Sequence, residues 1–66
     1  MPSSVIRSYQ YQPEKEILTV TFVTGKVYEY FPVPKDLYEE FTKAFAKGVY
    51  FNKYIKPGRT FKKIAG

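Results

Sequence analysis

Lys53, Lys56, Arg59, Lys62 and Lys63 are crowded near one end of the chain, with Tyr50 and Tyr54 among them. Cations hold phosphates, and aromatic faces stack on bases whatever their identity. Together they make the combination used by single-stranded nucleic-acid binders. From Lys43 onward there are seven basic residues and no acidic one, whereas Asp36 and the five glutamates all lie earlier. The net charge of +5 is therefore a local excess. It favours salt-sensitive attraction to phosphate polymers on physical grounds alone.

Other chemistry is poorly supplied. With no histidine and no cysteine, the chain lacks the commonest general base, the commonest metal ligands and any disulfide framework. The hydroxyls of Ser3, Ser4 and Ser8 have no histidine to activate them. Glu39 with Glu40, and Glu14 with Glu16, are carboxylate neighbours that solvation explains, and the four glycines are too scattered for a phosphate loop. No enzymatic activity and no cofactor are expected.

Part of the basic excess also has an ordinary cause. Asp36, Glu39 and Glu40 near the start of one helix, with Lys43 and Lys47 near its end, suit the helix dipole, and Glu39 with Lys43 makes an i,i+4 pair. Lys53, Lys56, Arg59, Lys62 and Lys63 have no such local partners. They remain the candidate phosphate ligands, against the plainer reading of a solubilising surface whose long stems cover apolar area. Tyr50 and Tyr54 are the candidate stacking rings, because a short helix turns only part of its circumference to the core. Each could equally cover the rim of that core. Asn52 could cap a backbone group or read a base edge, and the structural use is preferred.

These residues need a scaffold, and 66 residues supply one domain near the lower size limit for a single core. Thirteen aromatics, seven Tyr and six Phe, are the natural filling. No apolar run approaches the roughly 20 residues that span a bilayer, and the first residues lack the pattern of a signal peptide. A cytoplasmic protein is expected.

Ser4 to Tyr11 reads as a strand with Val5, Tyr9 and Tyr11 on one face; Ile6 breaks the alternation. After the polar turn Pro13-Glu14-Lys15-Glu16, Ile17 to Val23 alternates cleanly, with Leu18, Val20 and Phe22 inward and Thr19 and Thr21 outward. Thr24-Gly25 returns the chain into Lys26 to Phe31, completing a three-stranded antiparallel meander. Two loops fit this hairpin. A two-residue loop pairs Phe22 with Val27 and exposes Tyr28 and Tyr30 as a platform. A three-residue loop, Val23-Thr24-Gly25 with Gly25 left-handed in a G1 bulge, pairs Val20 with Tyr28 and turns both tyrosines to the core. The second is favoured, because it keeps the Glu29 carboxylate out of the core.

Pro34 suits the first turn of a helix running to about Lys47, with Leu37, Phe41, Ala44 and Phe45 as its apolar stripe and Gly48 as its stop. Val49 to Ile55 forms a second, shorter helix that Pro57-Gly58 ends. Arg59 to Ile64 offers a short edge strand, although Phe61 and Ile64 do not alternate. Phe45, Phe51 and Phe61 are assigned to the core. The fold class is α+β, a meander packed against one main helix and a short second one.

Ser3-Ser4-Val5-Ile6, Tyr11, Leu18-Thr19-Val20-Thr21-Phe22, Gly25, Tyr28-Glu29-Tyr30, Val33-Pro34, Tyr38, Gly48-Val49-Tyr50-Phe51-Asn52 and Ile55 together resemble the KTSC domain. That family takes its name from an extension at the C-terminus of some lysyl-tRNA synthetases and also occurs as small free-standing proteins. The resemblance implies a compact α+β domain with its Tyr-x-Tyr turned to the core. Through the synthetase association it implies RNA binding by analogy. It brings no set of functional residues.

The expectation is a non-enzymatic nucleic-acid-binding module, RNA before DNA, acting through Lys53, Lys56, Arg59, Lys62, Lys63, Tyr50 and Tyr54. Its rival is a protein-interaction module, a phage or host adaptor or inhibitor, whose basic face meets an acidic partner. Either is compatible with a monomer or a homodimer, and neither with a membrane.

Overall fold

The computed structural model describes residues 5–66, so Ser3, Ser4 and the expected start of the first strand lie outside the described residues. Four strands, β1 (Ile6–Gln12), β2 (Ile17–Phe22), β3 (Val27–Phe31) and β4 (Thr60–Ala65), form one antiparallel sheet in sequence order. Between β3 and β4 come α1 (Lys35–Lys43) and α2 (Lys47–Tyr50), the latter running on into a π-helical turn over Phe51–Ile55. The C-terminal strand is a full member of the sheet. No described helix is long and apolar enough to cross a membrane.

The β2–β3 hairpin takes the bulged register. Leu18 faces Tyr30 and Val20 faces Tyr28. The Phe22 N–H donates to the Lys26 carbonyl at 2.8 Å, and Gly25 is left-handed at φ 93°. Thr19 and Glu29 pair on the outer face, and Tyr30 is buried.

Two further bulges explain where alternation fails in the sequence. In β1, Ile6 pairs with Phe22 while Ser8 pairs with Thr21, so Arg7 is the extra residue. Its insertion puts Ile6 on the same face as Tyr9 and Tyr11, and Ile6 is buried. Val5, expected on that face, is exposed. In β4, Tyr28 pairs with Lys63 and Val27 with Ala65, which leaves Ile64 as the extra residue. That slip is why Phe61 and Ile64 do not alternate.

The helices depart most from expectation. Pro34 is extended at the N-cap of α1, which stops at Lys43, where the Ala44 N–H reaches back to the Phe41 carbonyl at 3.1 Å and the backbone turns extended. Thr42 Oγ1 donates to the Glu39 carbonyl at 2.7 Å, a local side-chain bond that competes with helical pairing in this last turn. With the helix ended, Phe45 leaves the apolar stripe and is 90% exposed. Lys47, expected at the end of the main helix, instead opens the second one, where its Nζ lies 3.4 Å from the Ala44 carbonyl oxygen. Gly48 is buried inside α2 and stops nothing.

One core joins sheet and helices: Ile6, Leu18, Val20, Tyr30, Val33, Phe41, Phe51 and Ile55. Its rings meet edge to face, Phe41 on Tyr9 at 4.9 Å and Phe51 on Tyr30 at 4.8 Å between centroids. At one end Tyr11 stacks on Tyr38 at 4.1 Å and donates its hydroxyl to the Val33 carbonyl at 2.6 Å, tying the strands to the segment that enters α1.

Candidate nucleic-acid interface

The second helix sorts its residues by face. In the π turn the Lys56 N–H bonds the Phe51 carbonyl at 2.8 Å, five residues back. In this wider coil residues four apart stay together. Phe51 and Ile55 are buried in the core. Asn52 and Lys56 project on one flank and Tyr50 and Tyr54 on the other, the two tyrosine rings 4.7 Å apart.

On the Asn52 and Lys56 flank, a cavity of about 620 Å³ opens between the helix and the sheet. Phe22, Tyr28 and Tyr30 contribute its sheet side, and Phe61 flanks them from β4, its centroid 5.9 Å from that of Tyr28 and 6.1 Å from that of Tyr30. Lys26, Lys56 and Arg59 line it with Asn52 and Pro57, and no carboxylate does. Lys26 reaches this cavity because the bulged hairpin sets it beside Phe22. Arg59 follows the Pro57-Gly58 turn, in which Gly58 is left-handed at φ 73°.

Arg59 Nε is buried without a hydrogen-bond partner among the described residues. An unpaired buried donor costs about 1–3 kcal/mol, more when it carries charge, so the way Arg59 is held carries a standing penalty. The Phe61 ring is 61% exposed, contrary to its assignment to the core. It pairs with Tyr30 on the inner face of an edge strand that extends beyond the helical cover.

The five expected phosphate ligands are not equivalent. Lys56 and Arg59 line the cavity, and Lys63, opposite Tyr28, shares its face of the sheet. Lys53 lies on the helix with its Nζ 5.4 Å from the Tyr54 ring centre, a cation–π distance. Lys62 faces Glu29 on the outer side of the sheet, away from the others. Tyr54 is half exposed, whereas Tyr50 is partly buried against Phe41 at 6.4 Å. Burial first and the Glu40 carboxylate second raise the Tyr50 phenol above its ordinary pKa. Burial raises that of Tyr30 too, followed by the neighbouring Tyr28.

Sequence reasoning missed Lys26, Tyr28 and Phe61 as members of a site. The signal for Lys26 was present, since the bulged loop places it beside Phe22. The cavity itself depends on the path of β4, which no local pattern encodes.

A sequence model of the KTSC domain matches residues 2–61. The chain belongs to the KTSC family. Solved structures agree: a KTSC domain protein from Yersinia pestis superposes with a TM-score of 0.85 at 32% identity, covering 97% of this chain and 93% of the other. An uncharacterized protein of Stutzerimonas stutzeri is 39% identical over 57 residues, 86% of this chain and 80% of its own length. The lysine–tRNA ligase of Nostoc sp. is 47% identical over 53 residues, which cover 80% of this chain and 9% of the ligase. In Nostoc punctiforme the corresponding ligase is 40% identical over 62 residues, covering 94% of this chain and 11% of the enzyme. This chain thus matches about a tenth of the length of these ligases.

Proposed function

We propose that this KTSC domain is a non-enzymatic module of the cytoplasm that binds single-stranded nucleic acid, RNA before DNA. The observation that carries the reading is the gathering of Lys26, Lys56, Arg59 and Lys63 around the exposed ring of Phe61, with Lys53 and Tyr54 on the adjoining helix. Cations track a phosphate backbone and exposed rings stack on bases without regard to sequence. Similarity to part of a lysine–tRNA ligase supports RNA over DNA. Fluorescence anisotropy with labelled single-stranded RNA, tRNA and duplex DNA tests it. The expected order is single-stranded RNA and tRNA above duplex, and binding weaker than about millimolar at low salt overturns the reading.

A protein partner is the second reading, favoured by the side chains of Phe45 and Val49, 90% and 61% exposed beyond the end of α1. It predicts that Phe45→Ser abolishes capture of one specific acidic protein while leaving RNA affinity unchanged.

A further inference from the structure

The cavity beneath the second helix is more selective than a surface that merely follows phosphates. Its size falls within the roughly 300–1,000 Å³ of small-molecule sites. Its chemistry is asymmetric. One wall is aromatic, formed by Tyr28 and the exposed ring of Phe61, with centroids 5.9 Å apart and planes tilted by 51°. Lys26, Lys56 and Arg59 give it a positive lining with no carboxylate to neutralise it. Asn52 adds an amide, which can donate and accept at once along a planar edge.

A matching occupant is anionic, carries a flat ring, and has both donors and acceptors on the edge of that ring. Acidic peptides satisfy the charge but not the ring with its polar edge. Inorganic phosphate satisfies only Arg59 and the lysines. A nucleoside phosphate satisfies all three requirements.

We infer that this cavity holds one nucleotide, its base against Phe61 and Tyr28 with its edge at Asn52, and its phosphate on Arg59 between Lys26 and Lys56. The inference rests on the nucleic-acid reading above and gives it a defined subsite. A bound strand splays a single base into the cavity, while neighbouring nucleotides lie over Lys63 or toward Lys53 and Tyr54. Base discrimination by the domain then comes from Asn52, because the cations and rings are tolerant of sequence.

The test is a two-dimensional amide NMR titration of the full chain with each of the four ribonucleoside monophosphates, inorganic phosphate, ribose 5-phosphate and a glutamate-rich peptide. The variants are Arg59→Gln, Phe61→Ala and Asn52→Ala, each first checked for a native amide spectrum. The expected result is saturable shifts at Lys26, Asn52, Lys56 and Phe61 with at least one monophosphate. Affinity should be at least about tenfold above that for ribose 5-phosphate, as stacking on an aromatic requires. Arg59→Gln and Phe61→Ala should each weaken it about tenfold or more, and Asn52→Ala should level the differences among the four bases. Phe61→Tyr, which keeps a stacking face, should retain binding.

Equal shifts from inorganic phosphate or from the peptide overturn the inference, because the base then contributes nothing. So does the absence of saturation at these amides with all four monophosphates. If labelled RNA still binds in that last case, the nucleic-acid reading stands and only the subsite falls. If monophosphates saturate the cavity while RNA does not bind, the cavity is a free-nucleotide site and the polymer reading falls.

Discussion

Replacing Lys26 and Lys62 separately by alanine asks whether nucleic acid reads a face of this domain or only its total charge. Each substitution lowers the net charge by one, so a charge-only surface treats them alike. The fold does not, because Lys26 lines the cavity and Lys62 projects from the other side of the sheet, paired with Glu29. Lys26, Lys56, Arg59 and Lys63 lie at or beside the cavity and Lys53 beside Tyr54 on the adjoining helix, so a strand crossing both meets five cations. At about 0.7 released counterions per phosphate contact on a single strand, the slope of log K against log salt is about −3.5. Affinity should therefore fall roughly a hundredfold between 50 and 200 mM salt. Lys26→Ala removes one contact and should bring the slope to about −2.8. Lys62→Ala should leave it unchanged, since Lys62 lies on the opposite face of the sheet and contacts no phosphate of a strand on the cavity side. Anisotropy titrations of labelled single-stranded RNA at four salt concentrations measure both slopes. Equal reductions by the two variants would refute the face-specific reasoning, even if RNA binds tightly.

The remaining predictions concern the scaffold. Gly25→Ala should cost about 1–2 kcal/mol in urea unfolding, because Gly25 is left-handed at φ 93° while an added Cβ meets nothing within 4 Å, so backbone strain acts alone. Phe51→Ala should leave the chain largely unfolded by circular dichroism at 25 °C. Deleting a fully buried Phe costs about 3–5 kcal/mol, against a total of roughly 3–10 kcal/mol for a domain of this length. Phe45→Ser should change stability by less than about 0.5 kcal/mol, as the ring is 90% exposed. Tyr11→Phe should cost about 1 kcal/mol at pH 8 by losing the hydroxyl bond to the Val33 carbonyl. Burial, and then the Glu16 carboxylate, raise the Tyr11 phenol above 10 in the folded state. Its contribution is therefore complete below pH 10 and is lost as pH climbs through the raised value. The gap between wild type and Tyr11→Phe should narrow in urea melts taken from pH 8 to 11.

The sheet was largely legible because period two is a strong signal and turn chemistry fixed the register. Gly25 after Val23-Thr24 identified the bulged loop, and burying Glu29 was too costly for the alternative. Even the lapses in alternation carried information, since Ile6 out of phase marks the bulge at Arg7, and Ile64 out of phase marks the one in β4. The helices were less legible. Leu37, Phe41, Ala44 and Phe45 make a convincing stripe, and nothing between them has the breaking power of Gly or Pro. Only the bond from the Thr42 hydroxyl to the Glu39 carbonyl and the early turn at Ala44 reveal that the stripe is cut. A nine-residue helix leaves most of its stability to tertiary contacts, so packing rather than propensity decides its end.

The same distinction governs the site. Residue types specified the chemistry, cations with rings and no acids, but sequence proximity grouped residues that the sheet then separated. Lys62 and Lys63 are neighbours in sequence and occupy opposite faces, while Lys26 and Arg59 are far apart in sequence and line one cavity. The aromatic content that a small core demands also supplies the cavity: Tyr30 is buried against Phe51, while Tyr28 and Phe61, on the same face of the sheet, extend past the helix as a wall open to solvent. One sheet face thus serves both roles, and the boundary between them is the edge of the second helix. Shifting that helix by one residue would exchange Asn52 and Lys56 for other side chains above the cavity. The π turn that sets their rotation is therefore tied to the site as closely as any residue within it.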